Sequence, residues 1–384
     1  MVAKSFLSSA FILALVSTLV QAQIDYDDVK TPKNPEWLKD VDMHSVPKLP
    51  IRKVGSGVCP DSTCDGTDND ECFESCGNAP APEDIYGCPQ DHHWALTFDD
   101  GPSNYTSELL DILDKENVKA TFCVMGAHVH QYPDILKRAY ESGHQIASHT
   151  FSHPHLMSLS NEEIIYEVKA TEEAIEKAIG IKPHYIRPPF GEADARVKGL
   201  LRSMGYKVLL WNVDPTDYDV YMLREVSSLI QGSFRMAAQG NDTGLNLHED
   251  PGFISLQHDL YKQSVDQVPK VIEFLKNKGY KFSTAAECNN DDKPHTITNP
   301  EAAVAPAQSV NAASNAAGVP KLSMQLPTAP ASTASSSSAS NAKPSPMVKD
   351  TKVKAKSESQ MTKSTASGYI LSFATLVVYV TMFM

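Results

Sequence analysis

The sequence predicts an α/β fold, a distorted (β/α) barrel of about seven parallel strands. Between residues 86 and 290, seven short apolar runs with strand character alternate with six segments of helical periodicity. Strands separated by helices pair in parallel through crossovers, and a series of such units closes most readily into a barrel. The chain has 384 residues, of which 41% are hydrophobic, so it is long and apolar enough to bury a large core.

The predicted elements follow one another along this central region. Strands are expected at 93–98, 119–125, 145–148, 184–186, 207–213, 252–257 and 281–284. Helices are expected at 106–116, 133–142, 161–179, 193–204, 222–230 and 265–278. The third helix has the clearest start, because Ser160 and Glu163 have the spacing of a capping box. The stretch 232–249 is predicted to be a loop insert.

The two ends of the chain lie outside the predicted barrel. Residues 1–22 have a basic start, an apolar run and small residues at a cleavage position, which is typical of a secretory signal peptide. A buried first helix is the alternative, but polar coil follows this segment. Residues 291–363 are rich in Ala, Ser, Thr and Pro and predict a disordered, O-glycosylated stalk.

Residues 364–384 end in a largely apolar tail that begins at Tyr369. This tail is short for a membrane-spanning helix, which needs roughly 20 residues. Small residues, a polar spacer and a terminal apolar tail match a glycosylphosphatidylinositol (GPI) attachment signal, with an ordinary tail anchor as the rival interpretation. We therefore expect a secreted chain that is held at the cell surface, on the plasma membrane or the cell wall, by a GPI anchor.

Residues 23–85 form a small segment rich in cysteine. It contains Cys59, Cys64, Cys72 and Cys76. In a secreted chain this spacing predicts disulfides whose pairing the sequence leaves open, and a zinc knuckle is the alternative. Cys123 lies in an apolar run and is the candidate for a buried free thiol. Cys88 and Cys288 flank the central domain at 86–290, and we expect a bridge between them that would clamp its ends together.

Charge and sequons bear on partners and modification. The net charge is −13, with 34 basic and 47 acidic residues, which argues against a nucleic-acid partner. Asn104 and Asn241 each begin an Asn-X-Thr sequon, so both are predicted to be glycosylated. We expect the protein to be a monomer.

Unusual polar residues follow five of the predicted strands. They fall at 97–102, 148–153, 187–191, 214–218 and 256–259. Each cluster alone has a simpler explanation: Asp99 and Asp100 precede Gly-Pro as in a turn, and His149 and His153 are spaced for one solvated helix face. Because the carboxyl ends of barrel strands meet at one face, five such clusters together predict a functional site.

The residue types predict a hydrolytic metal site. Asp100, His149 and His153 supply one carboxylate and two imidazoles, a three-ligand set that leaves room for water, as in catalytic zinc sites. A bound dication lowers the pKa of its water and polarises a carbonyl. Hydrolysis of an amide also needs a base for the water proton and an acid for the departing amine. We assign Asp99 as the base and His258 as the acid.

Two further residues are expected to support this pair. Arg187 can hold Asp99 ionised by pairing with it. Asp217 can keep the imidazolium of His258 charged. Both residues belong to clusters that follow predicted strands.

These motifs resemble those of the polysaccharide deacetylases of carbohydrate esterase family 4, the NodB-homology domain, and specifically those of fungal chitin deacetylases. The resemblance covers roughly Tyr86 to Cys288, and all five family motifs occur in order. It implies a distorted barrel that binds zinc, or cobalt or manganese as in some relatives. It also implies hydrolysis of the N-acetyl groups of N-acetylglucosamine units in chitin, giving chitosan and acetate in cell-wall remodelling.

The resemblance gives the same roles to the ligands, the base, the acid and their partners, and it adds three substrate contacts. The backbone amide of Phe190 would help to hold the oxyanion. The rings of Phe190 and Tyr218 would wall the groove, and Leu256 would lie near the acetyl methyl group. The family more often has Tyr where this sequence has Phe190, and Trp where it has Tyr218. Because Tyr is smaller than Trp, the groove wall at Tyr218 is expected to be thinner.

Two other functions remain open at this stage. An esterase acting on O-acetylated xylan or another wall glycan would use the same metal and water, because only the grip on the substrate differs. A non-catalytic wall glycoprotein that binds chitin would need the fold alone, although the complete set of acid, base and ligands argues against it.

Overall fold

The computed structural model describes residues 30–56, 81–241 and 249–299. The predicted signal peptide, the four clustered cysteines, most of the stalk and the apolar tail lie outside these residues. Among the helices of the three described ranges, none has both the length and the apolar character needed to cross a membrane.

A parallel sheet of seven strands forms the framework. Its order is β6 (Lys207–Val208), β5 (Tyr185–Ile186), β3 (Gln145–Ser148), β2 (Thr121–Val124), β1 (His93–Asp99) and β7 (Phe253–Ser255), with β8 (Lys281–Phe282) also paired to β1. Every one of these pairs is parallel, as crossovers through helices require. The predicted α/β class with about seven parallel strands is confirmed.

The chain after β6 closes the sheet into a distorted barrel. The amide of Leu210 donates to the carbonyl of Ile85 at 2.7 Å, and Val213 then forms a parallel bridge with Ser255 of β7. The predicted strand 207–213 is therefore too long. Its hydrogen-bond partners change along its length, so only Lys207–Val208 pairs regularly with one neighbour.

Ten α-helices occur within the described ranges. They are α1 (Thr106–Glu116), α2 (Gly126–Gln131), α3 (Pro133–Glu141), α4 (Asn161–Ile179), α5 (Ala195–Ser203), α6 (Asp217–Val220), α7 (Val226–Ala237), α8 (Lys262–Val265), α9 (Val268–Asn277) and α10 (Ala285–Cys288). Helices α1 and α4 have the predicted bounds, and the capping box of Ser160 and Glu163 is present at the start of α4.

Three helix predictions need correction. The predicted loop insert 232–249 is helical as far as Ala237, because Ile230, Phe234 and Ala237 bury one face of α7 in the core. The predicted helix 265–278 corresponds to α9, which begins only at Val268, because Pro269 lacks an amide donor and suits the first turn of a helix; the separate short helix α8 ends at Val265. Helices α2, α6 and α10 were missed, because four to six residues show too little periodicity.

The chain on both sides of the barrel packs onto it. Val41 and Val46 of the N-terminal segment are buried in one cluster with Leu200 of α5. At the other end, strand β9 (His295–Ile297) pairs antiparallel with β4 (Ile181–Pro183). The predicted start of the disordered stalk at residue 291 is therefore too early, because this pairing holds the chain on the domain.

The cysteines of the domain form one bridge. Cys88 and Cys288 are joined by a disulfide, with their Cα atoms 5.2 Å apart. This bridge links the chain just before β1 to α10, so it ties together the two ends of the barrel. Cys123 on β2 is buried and free, as predicted.

Candidate active site

Polar side chains from the five predicted clusters meet at the carboxyl end of the sheet. Strand β1 ends at Asp99, which forms a parallel bridge with His258 beyond β7. The next residue, Asp100, has φ 73°, in the left-handed region that is uncommon for residues other than glycine. Arg187 follows β5, and its amide donates to the carbonyl of Ser148 at the end of β3. Neighbouring strands thus bring these side chains to one face.

Asp100, His149 and His153 form a group that could hold a metal ion. One ligand atom from each lies within 4.8 Å of the other two. The Nε2 atoms of His149 and His153 are 3.3 Å and 3.5 Å from Asp100 Oδ1. The two histidines lie on a loop and not on a helix, with Thr150 and His153 at φ 66° and 61°. The alternative of one solvated helix face is therefore wrong.

The donor atoms of this group fit a cation. Asp100 Oδ1 is buried without a hydrogen-bond partner. Nδ1 of His149 donates to the carbonyl of Arg187 at 2.7 Å, so Nε2 of the neutral ring presents a lone pair to Asp100. A lone pair facing a carboxylate is unfavourable unless positive charge lies between them, and a backbone carbonyl that fixes the tautomer is the usual support for a metal-binding histidine.

The electrostatics of the three groups agree with this interpretation. Burial opposes ionisation of Asp100, but His153, His149 and His258 together hold the pKa of its carboxyl well below the usual range. Burial lowers the pKa of His153 to about 4, so its ring is neutral at pH 7 and can act as a ligand. Burial also disfavours a charged His149, yet Asp99 and Asp100 raise its pKa. The two carboxylates therefore favour a positive charge at this point.

Asp99 and Arg187 form a buried ion pair beside the metal group. Arg187 Nη1 donates to Asp99 Oδ1 at 2.6 Å and to Thr97 Oγ1 at 2.7 Å, while Nη2 donates to the carbonyl of Leu210 at 2.8 Å. The other oxygen of Asp99 lies 3.8 Å from His149 Nε2. A fixed carboxylate next to the metal ligands is suitably placed to accept a proton from a water molecule there.

His258 is held as a cation by Asp217. Its Nδ1 donates to Asp217 Oδ1 at 2.7 Å, and its backbone amide donates to Oδ2 at 2.8 Å. Ser264 Oγ donates to the same Oδ2 at 2.5 Å. Although burial lowers the pKa of His258, Asp217 and, to a smaller extent, Asp100 and Asp99 raise it to about 10. The ring is therefore protonated at neutral pH, as an acid must be.

Two aromatic rings border the site on different elements. Phe190 is 49% exposed, and its ring stacks on His155 at 4.0 Å and meets His153 edge-on at 4.6 Å. Tyr218 is 38% exposed, and its ring lies edge-on to His258 at 5.5 Å. One ring thus adjoins a metal ligand and the other adjoins the acid. Leu256 lies two residues before His258 and is only 3% exposed.

The two predicted glycosylation residues are exposed. Asn104 Oδ1 accepts a hydrogen bond from the hydroxyl of Tyr132 at 3.0 Å, close in sequence to the Asp99–Pro102 turn. Asn241 Nδ2 lies 3.3 Å from the carbonyl of Met236, just beyond α7. Their glycosylation stays a prediction.

Two residues of the site escaped the sequence analysis. His128, on the missed helix α2, donates from Nδ1 to the carbonyl of Asp100 at 2.5 Å. Asp259 is buried against Gly101, accepts from Thr106 Oγ1 at 2.5 Å, and has its pKa raised to about 7 by burial. Asp259 stood in a predicted cluster, directly after His258, and that position was the available signal. Nothing in the sequence pointed to His128.

Comparison with known proteins places this site in a family. Residues 86–209 match the sequence model described as polysaccharide deacetylase. The chain is 36% identical over 218 residues to a chitin deacetylase of Colletotrichum lindemuthianum, which covers 55% of this chain and 85% of the relative. It is 31% identical over 271 residues to chitin deacetylase 2 of Saccharomyces cerevisiae, covering 67% of this chain and 81% of the relative.

A longer alignment joins the chain to a larger relative. It is 32% identical over 305 residues to chitin deacetylase 1 of Cryptococcus neoformans var. grubii, covering 72% of this chain. The chain spans only 60% of the length of that relative and 61% of the length of a chitin deacetylase from Amylomyces rouxii.

The solved structure of the Colletotrichum lindemuthianum enzyme has the same fold. The two share 34% identity and a TM-score of 0.51, over 57% of this chain and 98% of the other. The match includes almost the whole of that enzyme, so the fold is shared over nearly its full length. The chain belongs to the polysaccharide deacetylase family.

Proposed function

We propose that this protein hydrolyses the N-acetyl groups of N-acetylglucosamine units in chitin, giving chitosan and acetate in cell-wall remodelling. The strongest support is the arrangement of a candidate metal site, a base and an acid at one end of the sheet. The group Asp100, His149 and His153 has a fixed carboxylate, Asp99, on one side, and the nearby imidazole of His258 is held protonated. The relatives from the four fungi named above are chitin deacetylases by name, which favours this substrate.

The three-ligand group would hold zinc, or alternatively cobalt or manganese. When bound, such a dication lowers the pKa of a water molecule and polarises the acetyl carbonyl. Asp99, oriented by Arg187, would take the proton of the attacking water. The backbone amide of Phe190 would donate to the carbonyl oxygen as negative charge develops there.

The amide bond requires an acid, and His258 meets that need. An amine leaves as a neutral group only when its nitrogen gains a proton, whereas an ester alkoxide depends less on this step. The pKa of His258 is raised to about 10, chiefly by Asp217, so the proton is present at neutral pH. This feature favours an N-acetyl substrate over an O-acetyl ester.

The substrate would lie between the two exposed rings. Phe190 and Tyr218 are the walls on which sugar faces would pack, and Leu256 would contact the acetyl methyl group. Because aromatic rings bury large apolar areas, they are effective partners for the apolar face of a sugar.

The decisive experiment is mass spectrometry of a chitin pentamer incubated with the zinc-loaded protein. We expect loss of acetyl groups and release of acetate, and no reaction after removal of zinc by a chelator. Acetylxylan is assayed in parallel. Release of acetate from acetylxylan alone would favour an esterase, and chitin binding without turnover at saturating zinc would indicate a non-catalytic chitin-binding protein.

The cellular setting is a separate proposal that rests on sequence patterns at 1–22 and 364–384. We propose secretion as a monomer and attachment to the plasma membrane or cell wall through a GPI anchor. Release of the protein from membranes by a phosphatidylinositol-specific phospholipase would support the anchor. Retention in the membrane after that treatment would favour an ordinary tail anchor.

A further inference from the structure

A buried carboxylate on α4 holds the loop that presents both histidines of the metal group. Glu167 is only 5% exposed. Its Oε2 accepts hydrogen bonds from the backbone amides of Phe151 and Ser152, each at 2.9 Å. Its Oε1 accepts from Ser152 Oγ at 2.8 Å and from the hydroxyl of Thr31. Four donors thus converge on one side chain.

All four partners of Glu167 are hydrogen-bond donors. Backbone amides can only donate, and both hydroxyls are oriented to donate, so the carboxyl must act as an acceptor at both oxygens. Two of these hydrogen bonds come from backbone amides of the loop, so the Glu167 side chain restrains the loop backbone directly.

The restrained residues lie between the metal ligands. Phe151 and Ser152 are two of the three residues between His149 and His153, and the loop includes two residues, Thr150 and His153, in the left-handed region. Such backbone conformations are strained for residues other than glycine and persist only where surrounding contacts enforce them. Glu167 contacts Phe151 and Ser152, the two residues that lie between Thr150 and His153.

We propose that Glu167 is a positioning residue for the metal site, and that Thr31 extends this hold to the N-terminal segment. The loop of His149 and His153 is thereby tied both to α4 and to residues 30–56, which precede the barrel. This inference rests on the metal site of the proposed function and not on its substrate.

The test is zinc affinity, measured by competition with a fluorescent chelator in the absence of substrate. Loss of a supporting contact around a metal ligand typically weakens binding 10- to 100-fold, and we expect a loss in this range for Glu167→Ala. Glu167→Gln should lose less, because its carbonyl can still accept from both backbone amides. Thr31→Val should give the smallest loss of the three.

Two controls separate positioning from general destabilisation. Glu173→Ala removes an exposed carboxylate from the same helix and should leave zinc affinity unchanged. Leu113→Ala opens a cavity in the core on α1 and should lower the melting temperature without changing zinc affinity. At saturating zinc, activity of the Glu167 variants should recover in part, which a collapsed site would not allow.

The outcomes decide between the alternatives. Wild-type zinc affinity in a folded Glu167→Ala protein would overturn the inference. If Glu167→Ala does not fold, unchanged affinity in both Glu167→Gln and Thr31→Val would overturn it equally. A wild-type protein that binds zinc but releases no acetate from chitin would contradict the proposed function alone and leave the role of Glu167 standing.

Discussion

Arg187 Nη1 lies 2.6 Å from Asp99 Oδ1, and both side chains are almost completely buried. The guanidinium also donates to Thr97 Oγ1 and to the carbonyl of Leu210, so its charge and most of its donors are satisfied. This pair fixes the position of the Asp99 carboxylate beside the metal group. Loss of the Arg187–Asp99 ion pair is therefore expected to lower both the stability of the barrel and its activity.

Asp99→Asn should abolish turnover while zinc stays bound. The amide of Asn cannot accept the water proton, and loss of a general base typically costs 10²- to 10⁴-fold in rate. The ligands Asp100, His149 and His153 are unchanged, so zinc content should match the wild type. Acetate release from chitin pentamer and metal analysis of the same sample test this, and normal turnover would remove the assignment of the base.

Arg187→Met should destabilise the fold by about 3–5 kcal/mol, because it leaves the charge of Asp99 buried without its partner. Urea denaturation measures this loss. Arg138→Met is the matched control: Arg138 pairs with Asp111 and Asp114 at the surface, where such pairs contribute about 0–1 kcal/mol. Equal losses of unfolding free energy in the two variants would show that the buried ion pair contributes no more stability than the surface pairs.

Asp217→Asn should shift the alkaline limb of the rate profile to lower pH. The pKa of His258 is raised to about 10 against the effect of burial, chiefly by Asp217 and less by Asp100 and Asp99, so it falls when the charge of Asp217 is removed. The acid acts only when protonated, and activity is lost as pH rises through its pKa. The variant should therefore lose activity at a lower pH than the wild type.

Profiles of kcat against pH for both proteins check this shift. The control is Asp219→Asn, which removes an equal charge from an exposed position on the same short helix. A limb at the same pH in Asp217→Asn and wild type would show that His258 is not the titrating acid.

Local sequence signals were sufficient to predict the elements with strong periodicity. Helices α1 and α4 have the predicted bounds, because each has an apolar stripe, and α4 also begins with a capping box. The same alternation of strands and helices indicated that Asp99, Arg187 and His258 would meet, since parallel strands end at one face. These parts of the site follow from short-range pattern and topology.

Other parts depend on contacts that no local pattern reports. Strand β6 is short because its neighbours change from Ile186 to Ile85 and then to β7. His128 reaches Asp100 from a helix of six residues, too short for a periodic signal. Pairing of β9 with β4 joins residues more than 100 positions apart, and β9 lies in a stretch that is predicted from the sequence to belong to the stalk.

Phe190→Ala should weaken substrate binding without changing the affinity for zinc. The ring is half exposed, stacks on His155 and meets His153 only at its edge, so its removal takes away a wall of the groove, while the backbone of the loop still holds His153 near Asp100. Loss of an aromatic contact of about 0.5–1.5 kcal/mol corresponds to a fall of roughly 2- to 12-fold in kcat/KM. Phe190→Tyr keeps the ring and should behave like the wild type. Kinetics on chitin pentamer together with zinc affinity test this, and an unchanged kcat/KM in Phe190→Ala would mean that the sugar binds elsewhere on the barrel face.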